Sequence, residues 1–261
     1  VTHLLKILTI AGSDCSGGAG IQADLKTIAA HRMYGMSAIT ALTAQNTTGV
    51  FGVQETPSEF VAQQLDAIFT DIVPDAVKIG MLGRPELIHV IAEKLRQYGA
   101  KHIVLDPVMV STSGSKLLPD DAIRALTEAL FPLARVITPN LLEAQVLCGF
   151  PIEGEDDMRN AARVIGGGHA SSILIKGGHG RQDATDLLYE NGAPHWLRGE
   201  RIDNTNTHGT GCTLSAAIAC RLAEGRPLLE SVTLAKAYLT GAIAAMLNLG
   251  AGPGPLDHGY W

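Results

Sequence analysis

An α/β fold around a mainly parallel sheet is what this sequence predicts, and three observations predict it. Short apolar runs rich in β-branched residues recur along the chain, and each ends in a glycine or polar turn that opens a stretch of helical periodicity. Those runs are almost continuously apolar, as strands covered on both faces are. The 261 residues, 46% of them hydrophobic, suffice for the full core of one domain spanning 1–261.

Leu4 to Ala11 reads as the first strand, ending at Gly12. The turn Gly12 to Gly20 follows, then a helix over Ile21 to His31 with apolar residues at Ile21, Leu25, Ile28 and Ala29. Strand, glycine loop and helix make a ligand-binding corner of an open sheet. The loop is not a GxxxxGK[ST] nucleotide loop, because Gly18 and Ala19 stand where Lys and Ser/Thr are needed, and it lacks GxGxxG spacing. Ala38 to Ala44 is a second strand, running into Gln45-Asn46-Thr47-Thr48, and Val50 to Glu55 is a short third. Pro57 opens a helix to about Thr70. Ala76 to Ile79 is a strand leading to Gly80-Met81, Pro85 to Tyr98 an amphipathic helix closed by Gly99, and His102 to Leu105 a strand ended by Asp106-Pro107. With parallel strands, Gly12, Gln45, Met81 and Asp106 share the rim at the carboxyl ends, where ligands of open α/β sheets bind.

The segment 108–118 is polar and aperiodic, and reads either as a small lid over that rim or as a solvated loop. Asp120 to Phe131 is helical, Arg135 to Thr138 a strand, and Pro139-Asn140 begins another helix. Asn140 and Glu143 lie three apart, which fits a capping box or a pair of oxygen ligands for hydrated Mg²⁺. After a helix over Asp156 to Gly166, the strand Ser171 to Ile175 delivers Lys176 before two glycines, placed to reach phosphate or simply a surface lysine; His179 reads as a loop histidine. Thr185 to Glu190 and Pro194 to Arg198 form a hairpin around Asn191-Gly192, and Leu228 to Leu247 is a long, packed helix.

Between hairpin and last helix comes Asn206-Thr207-His208-Gly209-Thr210-Gly211-Cys212, running into the small-residue segment Thr213 to Leu222. Its glycines permit a tight turn, and a helix starting after them aims unpaired N–H groups back into the loop, an anion site. Cys212, at the positive end of that helix, is expected to ionise below the free thiol value of about 8.5 and to serve as a base. The plainer alternative is a helix start capped by Thr207 or Thr210 with a buried cysteine behind it.

A formal charge of −6 and the absence of long Lys/Arg runs exclude nucleic acid and anionic membrane as expected partners. No apolar run approaches the roughly 20 residues of a membrane span, and no signal peptide is evident, so a cytoplasmic location is expected. The four cysteines lack disulfide or zinc spacing.

Ala11-Gly12-Ser13-Asp14, Ser16 to Lys26, Thr43 to Thr47, Lys78 to Leu82, Leu105 to Met109, Thr138 to Ala144, Lys176 to His179, Asn206 to Cys212 and Gly252 to His258 together resemble the hydroxymethylpyrimidine and phosphomethylpyrimidine kinases of thiamine biosynthesis, in order along nearly the whole chain. The resemblance implies a ribokinase-like three-layer α/β/α fold, a homodimer, and ATP-dependent phosphorylation of 4-amino-5-hydroxymethyl-2-methylpyrimidine to its mono- and then diphosphate. Gly12, Asp24, Gln45, Met81 and Val108 would form the pyrimidine pocket. ATP would lie against Lys176, Asn140, Thr207, Gly209 and Gly211, and Asp106 with Glu143 would hold Mg²⁺ largely through water. Gly209, Thr210, Gly211 and Cys212 would be the anion hole, with Cys212 as base where the wider superfamily carries Asp. Cys15 departs from the Pro of many relatives, and Ser111 from the lid cysteine of certain pyridoxal kinases. Pyridoxal phosphorylation is the alternative within the family, and non-catalytic pyrimidine binding the alternative outside it.

Overall fold

A computed structural model describes residues 4–109, 118–168, 171–177 and 184–260. The described residues form one nine-stranded sheet: β1 (Lys6–Asp14), β2 (Tyr34–Asn46), β3 (Gly49–Glu55), β4 (Ala76–Ile79), β5 (Ile103–Leu105), β6 (Val136–Ile137), β7 (Ser172–Ile175), β8 (Asp186–Glu190) and β9 (Ala193–Leu197). Their order is β3-β2-β1-β4-β5-β6-β7-β8-β9. The run from β2 to β7 is parallel, while β3 and the β8–β9 hairpin close the two edges antiparallel. All six parallel strands therefore point their carboxyl ends at one rim, as the repeated strand–turn–helix pattern predicts.

Helices cover both faces. On one side lie α1 (Gly20–Ala30), α7 (Thr210–Ala223) and α8 (Leu228–Ala244); on the other, α2 (Ser58–Phe69), α3 (Pro85–Gln97), α4 (Asp120–Ala125), α5 (Leu141–Cys148) and α6 (Glu155–Gly166). Alternation along each strand splits its apolar side chains between these layers: Leu8 and Ile10 face the α2–α6 side, Ile7 the α1/α7/α8 side.

Several elements differ from the sequence reading, among them β2, which starts at Tyr34 and takes in Gln45 and Asn46, and α8, which ends at Ala244. β1 runs past Gly12 to Asp14, with a register shift between Ala11 and Ser13 that bends its last residues into the loop. The helix expected to reach Phe131 stops at Ala125 and continues as a π turn and a 3₁₀ turn, consistent with Pro132 having no N–H to donate. α7 begins at Thr210, so Gly211 and Cys212 belong to its first turn. Of the expected lid over 108–118, residues 110–117 lie outside the described residues, as does His179; the Leu118 N–H donates to the Met109 carbonyl at 3.4 Å.

Candidate active site

Five parallel strands build the floor of the rim by the same arithmetic. Ile7, Ala76, Val104, Val136 and Leu174 all enter the core beneath α7. Two residues further on, on the same face and at the carboxyl ends, stand Thr9, Lys78, Asp106, Thr138 and Lys176. An apolar layer thus gives way to a polar row directly under the first turn of α7.

The row is tightly paired. Thr9 and Lys78 are register partners on β1 and β4, and both reach Asp24 of α1: Thr9 Oγ1 donates to Asp24 Oδ2 at 2.6 Å and Lys78 Nζ at 2.8 Å. All three side chains are fully enclosed. Burial pulls the Lys78 ammonium down, yet the charges of Asp24, Cys212 and Asp106 outweigh it and hold lysine above its ordinary range. Further along, Lys176 Nζ donates to Asp106 Oδ1 at 2.8 Å and Thr138 Oγ1 to the same oxygen at 3.3 Å. That arrangement leaves Asp106 Oδ2 facing Gly211, where an added Cβ would stand 3.1 Å from Oδ2 and 3.4 Å from Lys176 Nζ. Lysine, carboxylate and the N-terminal turn of α7 converge there.

Glycine is required at the head of that turn. Gly209 is the N-cap of α7 with φ 86°, in the left-handed region, and a Cβ on it would overlap the carbonyl of Gly18. Neither Thr207 nor Thr210 supplies a side-chain cap, so of the plainer reading only the buried cysteine stands. The Cys212 expectation is corrected, however. Burial pushes its thiol up, with Asp24 and Asp106 adding to the rise and Lys78 and the Gly20 N–H opposing it. Desolvation and two carboxylates outweigh lysine and the Gly20 N–H together.

The Asn140–Glu143 capping box forms in full: the Glu143 N–H donates to Asn140 Oδ1 and the Asn140 N–H to Glu143 Oε2, both at 2.9 Å. Glu143 does more than cap, since its Oε1 accepts the Met109 N–H at 3.0 Å. Burial raises its carboxyl pKa, against the nearby Lys176 ammonium. Asn140 bridges to Lys176 along the backbone, while Thr207 is exposed at the loop's outer edge.

Of the residues expected in the pyrimidine pocket, Gly12 and Met81 come together closely enough that a Cβ on Gly12 would lie 2.5 Å from Met81 Cε. Gln45 and Val108 are partly exposed on the same rim, Val108 with φ 40°. Asp24 lies beneath the cleft instead of on its wall, and its Oδ1 is buried with no hydrogen-bond partner among the described residues. Three residues went unread in the sequence: Lys78, Asp14 and His208. A lysine inside an otherwise apolar four-residue strand was a usable signal for the first. His208 Nε2 lies 2.8 Å from Asp14 Oδ2, and that carboxylate also accepts from the N–H groups of Ser16, Gly18 and Ala19, tying the glycine loop to the anion loop.

Among the described residues, no group of three or more His, Cys, Asp or Glu converges as a metal cage, and no helix is long and apolar enough to cross a membrane. The family model for phosphomethylpyrimidine kinase matches residues 14–257. A hydroxymethylpyrimidine/phosphomethylpyrimidine kinase of Rhizobium meliloti (strain 1021) is 53% identical over 255 residues, covering 96% of each chain. Among solved structures, the phosphomethylpyrimidine kinase of Clostridium difficile 630 superimposes with a TM-score of 0.83 at 46% identity, covering 92% of this chain and 99% of that one. Staphylococcus aureus pyridoxal kinase in complex with AMP-PCP superimposes with a TM-score of 0.93 at 38% identity, covering 99% and 95%.

Proposed function

The chain belongs to the phosphomethylpyrimidine kinase family, and from that membership we propose that it phosphorylates 4-amino-5-hydroxymethyl-2-methylpyrimidine and then its monophosphate, with ATP as donor. The observation that carries the reading is the convergence of Asp106 Oδ2 and Lys176 Nζ on Gly211, one residue from Cys212. Phosphoryl transfer asks the protein mainly for positioning and for neutralisation of charge. Lys176 supplies a cation for the phosphates, with Asn140 and Thr207 alongside the nucleotide. The N–H groups of Gly209, Gly211 and Cys212 point out of the helix start toward the transferring group, while the Thr210 N–H donates to the Thr207 carbonyl at 3.3 Å and shapes the loop.

Cys212 takes the hydroxymethyl proton in the first step. In the second the nucleophile is a phosphate oxygen, already ionised at neutral pH, and needs no base. Gly12, Gln45, Met81 and Val108 hold the pyrimidine, and Asp24 supports them from below. The donor set suits hydrated Mg²⁺: Asp106 and Glu143 are hard oxygen ligands, and the burial that raises the Glu143 pKa is relieved by a cation. When bound, Mg²⁺ supplies charge neutralisation at the phosphates. The chain acts as one domain and as a homodimer, for which the apolar edge around Phe51, 71% exposed on β3, is the contact; Phe51→Glu should shift sedimentation to the monomer. The kinase reading is tested by coupled ADP release with Mg·ATP and, separately, the hydroxymethylpyrimidine, its monophosphate and pyridoxal. Turnover of both pyrimidines well above pyridoxal supports it, and preference for pyridoxal overturns the substrate assignment.

A further inference from the structure

His208 and Thr43 meet Gln45 from opposite sides. As placed, Gln45 Nε2 lies 3.1 Å from His208 Nε2, and Gln45 Oε1 lies 3.4 Å from Thr43 Oγ1. The protons of the neighbours decide which way that amide faces. Asp14 Oδ2, 2.8 Å from His208 Nε2, belongs to a carboxylate whose pKa is lowered: burial pushes it up, but the hydrogen bonds from Ser16, His208 and Ala19 outweigh that push. An ionised carboxylate only accepts, so His208 Nε2 carries a hydrogen, whether the imidazole is neutral or charged. An NH₂ group of Gln45 would face that N–H donor to donor. On the other side, Thr43 Oγ1 spends its single hydrogen on the Ser13 carbonyl at 3.0 Å, so toward Gln45 it can only accept. Both mismatches vanish when the amide is turned by 180°, with Nε2 toward Thr43 and Oε1 toward His208, where it shares the single Nε2–H with Asp14 Oδ2 in a three-centre bond.

We propose that His208 is a specificity-determining positioning residue: its Nε2–H, held by Asp14, fixes the polarity of the Gln45 amide, with Thr43 locking the other end. Each terminal atom of the amide then keeps one position for a ligand, a lone pair on Oε1 and a hydrogen on Nε2. The cleft receives an acceptor and a donor in fixed order. That order complements an exocyclic amino group beside a ring nitrogen, the edge of a 4-aminopyrimidine, and opposes a 4-oxo pyrimidine, whose carbonyl and ring N–H present the reverse. The inference rests on the pyrimidine kinase reading above.

The test compares kcat/KM for the 4-amino hydroxymethylpyrimidine with that for its 4-oxo analogue in the wild type, His208→Phe, His208→Gln and Thr43→Val. A pocket that hydrogen-bonds its substrate discriminates strongly against the mismatched analogue. The amino-to-oxo ratio should fall about tenfold or more in His208→Phe, which keeps a ring against Gly18 but has no N–H, and in Thr43→Val. It should be largely kept in His208→Gln, whose Nε2 restores a donor. A packing role gives the opposite order, with Phe tolerated and Gln not. An unchanged ratio in His208→Phe and Thr43→Val, or equal loss of the ratio in His208→Phe and His208→Gln, overturns the inference alone. A wild type that turns over neither pyrimidine overturns the kinase reading, and this inference with it.

Discussion

Lys78 Nζ and Asp24 Oδ2 lie 2.8 Å apart with neither side chain exposed at all, and the pair faces the first turn of α7. Removing one partner of such a pair strands a charge, which costs about 3–5 kcal/mol, whereas neutralising both restores much of it. Lys78→Met alone should therefore lower stability by about that amount. Lys78→Met with Asp24→Asn, which still accepts from Thr9, should recover more than half of the loss. Urea unfolding at neutral pH reads both; equal destabilisation by the single and double variants would show that the charges are not balancing each other.

If Cys212 is the base proposed above, its raised thiol pKa should set the pH dependence of the first phosphorylation. The basic form is the thiolate, and its fraction grows as pH rises, so the rate should climb from neutral into alkaline pH without a plateau near about 8.5. The second step should stay nearly flat. Cys212→Ala should slow the first step by about 10²–10⁴-fold and the second by far less. Rate profiles on the two pyrimidine substrates check this, and equal losses would remove Cys212 from the role of base.

Gly209 and Gly211 look alike in sequence and should fail differently. Gly209→Ala forces a side chain into the left-handed region and onto the Gly18 carbonyl, so it should damage folding itself. Gly211→Ala has ordinary backbone angles and directs its methyl between Asp106 and Lys176. Thermal melting should be close to wild type for Gly211→Ala while kcat drops steeply.

His258 is buried with Nε2 3.0 Å from Thr213 Oγ1, and burial, helped by the Lys26 ammonium, lowers its pKa from 6.5 to about 4. Below pH 6.5 the unfolded chain binds a proton at this position that the folded chain refuses until about pH 4. Stability should accordingly fall as pH drops through that window, by about 3 kcal/mol from this group when the loss is complete. His31, lowered by burial, adds to the slope. His258→Gln should flatten it in denaturant titrations; an unchanged slope would assign the acid sensitivity elsewhere.

Much of this architecture was written in local pattern: β4 matched its apolar run residue for residue, and the hairpin turned at Asn191-Gly192 as its dipeptide demands. The glycine loop and the loop before α7 were equally visible. What local pattern could not show was the company each side chain keeps. The helix dipole at Cys212 is a short-range signal, while the ionisation of its thiol is governed first by burial and then by Lys78, Asp24 and Asp106 from three other elements. His208 went unread because its partner Asp14 lies 194 residues away. The lone lysine of β4 signals burial by itself, but the groups that Lys78 meets become legible only once β1, β4 and β5 are known to be neighbours.

Those separations also fix when the protein becomes active during its own folding. Gln45 and His208 are 163 residues apart, and Asp106 and Lys176 70. Closing loops of that length is entropically late relative to the helix pairs formed by near neighbours such as α2 and α3. On a ribosome the glycine loop, the rim and the polar row are all synthesised before the segment that completes them. Enzymatic competence should thus return only in the final phase of refolding, well after most of the helical signal has recovered.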